Sequence, residues 1–490
     1  MAAEIRSIAD LRAALRVLFD SADIARAASL ADEFETALGT PTGADRKLIE
    51  KIRDRAKLLS WAKQPPLART LPAVERRVVN LLAYSLPYSS VGYATRSHGL
   101  AQAVQEAGWE IFPHTRPGFP FDQMPELRGR TLPAEDLIDG VRYGRLFDCS
   151  RHESTEFGYL NAAIASYSRL FETFSPAVVH AASNHTTGLP ALIAARRCGI
   201  PFVYEMRGFW EVTRSSNDPE FSRTRTYRHI RLFETVVAQA ADHVITLTEG
   251  MRKNLADRGV PEDRISIVPN GVDAQRFSPR ERDRELALRL GLPVDEPVIG
   301  YVGSFVDYEG LDDLVEAAAV LAARGRRFRL LLVGDGLSAP ELRARVNAQG
   351  LTHRTVLTGR VPHEDVTRYY SLIDVCAFPR KPWEVCELVS PLKPFEAMAQ
   401  EKAVVVSSTA ALARIASDGE TGLVFEAGRV PALVAVLERA LGDSGLRQRL
   451  GRAARHWILA GRTWRSAGEA CVGVYRRVTV AAGAVRRGGA

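Results

Sequence analysis

The segment Ser390-Pro-Leu-Lys-Pro-Phe-Glu-Ala-Met-Ala399, followed by the apolar run Ala403-Val-Val-Val406, sets a cation and a carboxylate three residues apart beside two prolines. Pro391 and Pro394 have no backbone N–H to donate and suit a loop or a first helical turn, so a helix is predicted from Pro394 through Ala399. Free N–H groups and the positive end of the dipole at such a start attract a phosphate. Lys393 adds a point charge, and Glu396, one turn in, can accept two hydroxyl hydrogen bonds from a ribose. This is the chemistry of a grip on a nucleotide-sugar. The same local pattern also describes an ordinary amphipathic helix whose Lys and Glu face solvent.

At 490 residues, 46% hydrophobic and 25% charged, the chain exceeds a single core and has the balance of a soluble multidomain protein. No apolar run approaches the about 18 residues needed to span a bilayer, and Glu4 and Asp10 leave no signal-peptide core near the N-terminus. A cytoplasmic location is therefore expected. The five cysteines, Cys149, Cys198, Cys376, Cys386 and Cys471, are scattered and form no CxxC pair, which argues against a disulfide framework or a zinc site. The net charge of +7 is mild and interspersed; it excludes a nucleic-acid argument and suits an anionic small molecule, an anionic membrane surface or a plain Arg-rich surface alike.

Residues 1–74 read as helices over Ile8–Leu18, Ser21–Leu38 and Ala44–Ala62, with a break at Gly39-Thr-Pro-Thr-Gly43 and a Pro-rich exit at Gln64–Leu67 and Leu71-Pro72. A strand, loop, helix pattern then begins. Strands are predicted at Val78–Ala83, Ala177–His180, Pro201–Tyr204 and His243–Leu247, with helices at Ser97–Ala107, Gly188–Cys198 and Thr226–Ala240, and this half closes at Ile265–Asp273. A second set follows the charged residues 274–295. Its strands are Pro297–Val302, Phe328–Val333, Thr355–Thr358, Val375–Phe378 and Ala403–Val406, and its helices Leu311–Arg324, Ala339–Gln349, His363–Ser371 and Pro394–Ala399. Ligands of parallel sheets bind beyond the carboxyl ends of the strands, which brings Gly303, Gly334-Asp-Gly336, Gly359-Arg-Val361 and Pro379-Arg380 to one crevice. The Ala/Gly/Arg-rich tail from Val478 is expected to be disordered.

In order and spacing, five motifs over residues 76–475 resemble the retaining glycosyltransferases of family 4: Ser89-Ser-Val-Gly-Tyr93, Val268-Pro-Asn-Gly-Val-Asp273, Tyr301-Val-Gly-Ser-Phe305 with Glu309-Gly-Leu-Asp312, Leu332-Val-Gly-Asp-Gly336, and Ser390–Ala399. The resemblance implies the α/β GT-B fold, with two Rossmann-like domains facing a cleft. It divides the chain into a helical module (1–74), an acceptor domain (75–273), a linker (274–295), a nucleotide-sugar donor domain (296–456) and a crossover helix with tail (457–490). Glu396 matches the family glutamate on the donor ribose. Gly92, with Tyr93, matches the loop whose amides approach donor phosphate or acceptor, and Arg360 and Val361 match the segment whose backbone reads the base. Gly303, Ser304 and Gly334 fall at the donor loops.

Several positions depart from that pattern. Ser304 and Glu309 stand where the family carries an Arg and a Lys for the diphosphate. Glu309 is expected either to face a donor-sugar hydroxyl or to cap the helix near Gly310, and Lys393, then Arg380 and Arg207, are expected to supply the missing charge. Restoring Arg at 304 and Lys at 309 is expected to compensate for loss of Lys393. Counting back from Glu396, the family's first motif Glu falls on Leu388, one place after Glu387, which a bulge could bring into use; Ser390-Pro391 replaces the usual Phe-Gly, as in a Pro-Leu-Lys branch of the family.

Arg207 stands where many relatives have a His. A guanidinium cannot be a base but can stabilise a leaving phosphate, whereas Glu205 or Glu211 could supply a carboxylate or simply pair with it. Arg116, in Thr115–Asp122, and Trp210 combine arginine and aromatics on loops, suiting either a glycan or lipid-linked acceptor or a loop packed on its own Phe residues. The resemblance thus implies a metal-independent hexosyl transfer, with no resident cofactor, from a nucleoside diphosphate sugar to a glycan or lipid-linked acceptor in polysaccharide biosynthesis, with peripheral contact to an anionic inner membrane face. A GT-B epimerase or a catalytically degenerate scaffold would use the same grip.

Overall fold

The computed structural model describes residues 8–38, 41–69 and 72–488. Gly39 and Thr40 of the predicted inter-helix break, and Leu71 of the predicted linker, lie outside the described residues, as does the tail beyond Gly488. The chain forms two compact units: one comprises residues up to Thr246, Arg252–Ile267 and the segment from Ala470, and the other Leu247–Met251 and Val268–Glu469.

The first unit is built on eight strands, β1 (Val74–Leu82), β2 (Glu110–Thr115), β3 (Glu135–Ile138), β4 (Val141–Gly144), β5 (Pro176–Ala182), β6 (Phe202–Met206), β7 (His243–Thr246) and β8 (Ile265–Ile267). Their order is β3-β4-β2-β1-β5-β6-β7-β8, parallel except for the β3–β4 hairpin. Continuous apolar runs such as Val78-Val79, Leu81-Leu82 and Val178-Val179 are fully buried, as parallel strands covered by helices on both faces require. β1 pairs with β2 on one side and β5 on the other, so the strand order reverses there and the loops after β1 and β5 diverge, opening a ligand crevice.

The helices Ile8–Asp20, Ile24–Leu38 and Gly43–Lys63 agree with the predicted ones to within a few residues. They are not a free-standing module. Leu11, Leu15, Phe19, Ile24, Phe34, Ile49 and Ile52 form a small core that also takes in Leu232 of the helix Arg225–Ala240, so the segment counts within the first unit. The predicted tail disorder is also corrected. After a break at Ala460–Thr463 the helix Trp464–Gly488 runs without interruption; Ala467, Cys471, Val474, Tyr475 and Val478 recur at helical spacing and are buried, which anchors its first four turns.

The second unit carries β9 (Val298–Val302), β10 (Arg329–Val333), β11 (Thr355–Leu357), β12 (Val375–Phe378), β13 (Ala403–Ser407) and β14 (Leu423–Phe425), ordered β11-β10-β9-β12-β13-β14 and all parallel. Here the reversal lies between β9 and β12. Phe277, Leu286, Ala287 and Leu292, from the predicted linker, are buried in this unit's core. The closing motif 268–273 also belongs to it: Val272 bridges to Thr463, and a Cβ on Gly271 would meet the Thr463 backbone at 2.6 Å.

Candidate active site

In the second unit the loops flanking the strand reversal converge through backbone contacts that only glycine permits. Gly310 has φ +71°, and a Cβ there would lie 2.0 Å from the Pro379 carbonyl oxygen, so the loop after β9 presses on the loop after β12. Gly303 has φ +148°, and its missing Cβ leaves the path taken by the Lys393 side chain, whose Cε would otherwise be 2.2 Å away.

These approaches assemble a buried ion cluster. Arg380 Nη2 and Lys393 Nζ both donate to Glu309 Oε1, at 2.8 and 2.9 Å. Arg380 also donates to the Val389 carbonyl (2.9 Å), and Lys393 to the Tyr301 hydroxyl (2.5 Å), which in turn donates to the Ser304 carbonyl (3.0 Å). Glu309 Oε2 and Arg380 Nε have no protein partner. Burial pushes the Glu309 carboxyl up, but Arg380 and Lys393 outweigh it and hold it at about 2. Burial pushes Lys393 down, against the pull of Glu309. Two cations thus share one carboxylate, leaving a single positive excess at the carboxyl ends of β9 and β12. Both expectations for Glu309 are thereby corrected: Gly310 occupies the N-cap of the helix Leu311–Ala323, and the Glu309 side chain is only 2% exposed and committed to cations.

The helix Lys393–Ala399 starts at Lys393, one residue before the predicted start, with Pro394 in its first turn. Glu396 is half-buried one turn in and accepts from the Tyr370 hydroxyl at 3.2 Å. Burial raises it to about 7, against the Tyr370 bond and Lys393, which lower it. Ser304 is exposed beside the cluster. Gly334, at φ +137°, packs where a Cβ would meet the Gly303 carbonyl oxygen at 1.9 Å, and its N–H donates to the Gly359 carbonyl (3.1 Å). Arg360 is exposed and Val361 half-buried on the following loop. Glu387 accepts from the Ala410 N–H at 2.7 Å, at the start of the helix Ala410–Ala413. Tyr301 and Tyr370 were missed by sequence reading; their hydroxyls act on Lys393 and Glu396 from 92 and 26 residues away, a distance no local pattern records.

A second cluster lies within the first unit. Glu205, at the end of β6 and fully buried, pairs with Arg96 (2.6 Å) and Arg207 (2.6 Å) and lies 3.4 Å from His180 Nε2. Burial opposes its ionisation, but Arg207 and Arg96, with His180, hold it well below the usual carboxylate range. Arg207 also donates to the Tyr93 carbonyl (3.0 Å) and Ser97 Oγ (2.6 Å), and its guanidinium lies 4.4 Å from the Tyr93 ring centroid. The Tyr93 hydroxyl accepts from the Ala83 N–H (2.9 Å) and is pushed up to about 12 by burial. Gly92 is exposed as the first residue of the helix Gly92–Glu106, whose N-cap, Val91, offers no capping side chain.

Trp210 opens the helix Trp210–Asn217 and is 42% exposed, which leaves a ring face available. Arg116 does not join a ligand loop. It is 1% exposed and sealed against Asp122 beside buried Phe119, so this loop packs on itself, and the expectation of an acceptor contact at Arg116 is corrected. Glu211 is likewise occupied, pairing with Arg258 at 2.8 Å.

Residues 91–271 match the family described as "Glycosyl transferase 4-like domain", and residues 283–457 match "Glycosyl transferases group 1". A GDP-mannose-dependent alpha-mannosyltransferase of Mycobacterium tuberculosis is 30% identical over 355 residues, covering 70% of this chain and 84% of that protein. An alpha-D-kanosaminyltransferase of Streptomyces kanamyceticus is 31% identical over 249 residues, and there the match spans 50% of this chain and 63% of the relative. Among solved structures, a sucrose-phosphate synthase of Thermosynechococcus elongatus superposes with TM-score 0.67 at 22% identity, covering 83% of this chain and 99% of that one. Anabaena HepE in complex with UDP superposes with TM-score 0.63 at 15% identity, covering 82% and 100%. At these identities the likeness establishes the fold, which is GT-B with two Rossmann-like domains.

Proposed function

The chain belongs to the group 1 glycosyl transferases and is a glycosyltransferase; from that premise we propose that it moves a sugar, with retention of configuration, from a nucleoside diphosphate sugar to a glycan or lipid-linked acceptor in cell-surface or extracellular polysaccharide assembly. The observation that carries this is the Glu309–Lys393–Arg380 cluster beside Glu396 at the strand reversal of the second unit. A diphosphate, with at least two negative charges, would meet a net excess of one positive charge there, and Glu396 stands ready for ribose hydroxyls. The dependence of the mannosyltransferase relative on GDP-mannose, and the UDP bound by HepE, support a nucleotide donor.

In this scheme Glu396 fixes the ribose, while Lys393 and Arg380 face the diphosphate with the backbone at Gly303, Ser304 and Gly334. The Arg360-Val361 backbone reads the base, and Glu387 stays at the margin. Gly92, Tyr93 and Trp210 serve the acceptor, and Arg207 stabilises charge on the leaving phosphate. Glu205, Glu211 and Glu309 are all committed to arginines or Lys393, which leaves the departing diphosphate itself to take the acceptor proton on the same face, as retention requires. Side-chain cations supply the positive charge, so neither a metal nor a resident cofactor is called for; activity should survive EDTA. No helix among the described residues is long and apolar enough to cross a membrane, and we place the protein in the cytoplasm with peripheral contact to the inner membrane face.

A screen of donor hydrolysis and transfer across nucleotide sugars, with wild type and Glu396→Gln in parallel, tests this. Turnover of one donor, lost in the variant, is expected. Nucleotide binding with no turnover of any donor would instead identify a scaffold.

A further inference from the structure

The final helix places a phenol against the buried cluster of the first unit. The Tyr475 hydroxyl lies 2.7 Å from His180 Nδ1, with the two rings edge to face at 5.7 Å and 65°. His180 sits on β5, and its Nε2 lies 3.4 Å from Glu205 Oε2, close enough for charge to act but without a hydrogen bond. The same Oε2 accepts from Arg207 Nε (2.8 Å), with Nη2 at ion-pair distance (2.6 Å), while Oε1 is taken by Arg96. Tyr475, His180 and Glu205 are each 0% exposed, so no solvent can replace a group withdrawn from this chain.

The geometry selects one proton arrangement. An N–H at His180 Nε2 faces a carboxylate, whereas a lone pair there would meet negative charge. In a neutral imidazole Nδ1 is then the acceptor, and the Tyr475 hydroxyl donates to it. Without that hydroxyl the imidazole loses the partner that fixes its tautomer, and the opposite tautomer turns a lone pair toward Glu205. Arg207 is bound through Glu205 on one edge and through the Tyr93 carbonyl and Ser97 on the other, so a shift of the carboxylate moves the guanidinium.

Resting on the role proposed above for Arg207, we propose that Tyr475 is a positioning residue for glycosyl transfer, acting through His180 and Glu205 to hold the Arg207 guanidinium in its working orientation. The last helix thereby enters the chemistry of the first unit without touching substrate. A displacement of a charged group near a reacting centre by an ångström or less lowers turnover on the order of 10- to 100-fold.

Tyr475→Phe removes one oxygen and keeps the ring that packs on Trp109 at 5.2 Å. Its kcat should fall on the order of tenfold with the donor KM and nucleoside diphosphate affinity unchanged. A structural role would instead lower thermal stability and leave kcat alone. The decisive arm is a double-mutant cycle with His180→Phe, and with His180→Gln if the Phe variant folds poorly. Tyr475→Phe should cost no further kcat in a background without the imidazole, because the proposed effect of the hydroxyl on Arg207 runs through His180 and not through its other neighbour, the Cys471 thiol. Full additivity of the two losses, or an unchanged kcat in Tyr475→Phe, overturns the relay. Arg207→Lys separates the two levels: if it leaves kcat intact, the role of Arg207 itself is wrong, and if it abolishes kcat while Tyr475→Phe does not lower it, only the relay is.

Discussion

Lys393 stands 2.9 Å from the Glu309 carboxylate, so the cation expected to face a free diphosphate is already half-committed before any ligand arrives. Arg380 reaches the same oxygen. Glu309 therefore orders two side chains that would otherwise repel each other, leaving one net positive charge to face a diphosphate.

Glu309→Gln should destabilise the second unit by about 3–5 kcal/mol at neutral pH, the usual cost of removing one partner from a buried ionic cluster. The pH dependence has a definite sign. The folded-state value of about 2 lies below the ordinary 4.5, so the contribution is complete above about 4.5 and is lost as pH falls toward 2. Urea titrations at pH 7 and pH 3 should therefore show the gap between wild type and variant closing in acid. Lysine at 309, which the family pattern recommends, would add a third cation to Arg380 and Lys393 in wild type and should destabilise this unit, so compensation is confined to the Lys393→Ala background, where Arg380 alone remains.

Lys393→Ala should weaken nucleoside diphosphate binding about tenfold or more while changing nucleoside binding little, since only the former carries the charge being matched. Calorimetry with both ligands measures this directly. Equal losses would mean that Lys393 shapes the pocket without facing phosphate.

Glu396 has the opposite pH signature. Raised from 4.5 to about 7 by burial, it favours the protonated folded state, so its effect on stability becomes less favourable as pH rises from about 4.5 to about 7. Its ionised form, the one proposed to accept from ribose, fills over the same upper range. Nucleoside affinity should rise between pH 6 and pH 8 in wild type and stay flat in Glu396→Gln. A flat profile in both would separate Glu396 from the ribose.

Trp210→Ala should lower transfer to acceptor several-fold while leaving nucleoside diphosphate affinity intact, because a 42%-exposed ring has a face free for a sugar. Loss of donor affinity, with acceptor dependence unchanged, would take Trp210 out of the acceptor site.

The fold was legible where physics is local. Val375–Phe378 is a continuous apolar run, and its predicted bounds coincide with β12; Pro394 located the helix that carries Glu396 to within one residue. The β3–β4 hairpin escaped because its strands are four residues long, although Asp139-Gly140, both at positive φ, is a turn signal that could have revealed it. Glu309 was misread because its partners lie 71 and 84 residues away, and a carboxylate looks repulsive to phosphate until Arg380 and Lys393 are seen to surround it. Arg116 failed for the converse reason: Asp122 closes over it once the loop folds, and exposure cannot be read from an Arg-aromatic pattern alone.

The most direct test of a nucleotide-sugar site at the head of the helix Lys393–Ala399 is calorimetric titration of nucleoside diphosphates into wild type and Glu396→Gln at pH 8. Loss of a charged acceptor for ribose hydroxyls is worth about 1.5–3 kcal/mol, so affinity should fall roughly ten- to hundredfold. An unchanged affinity in a folded variant would remove Glu396 from the site and with it the proposed donor grip.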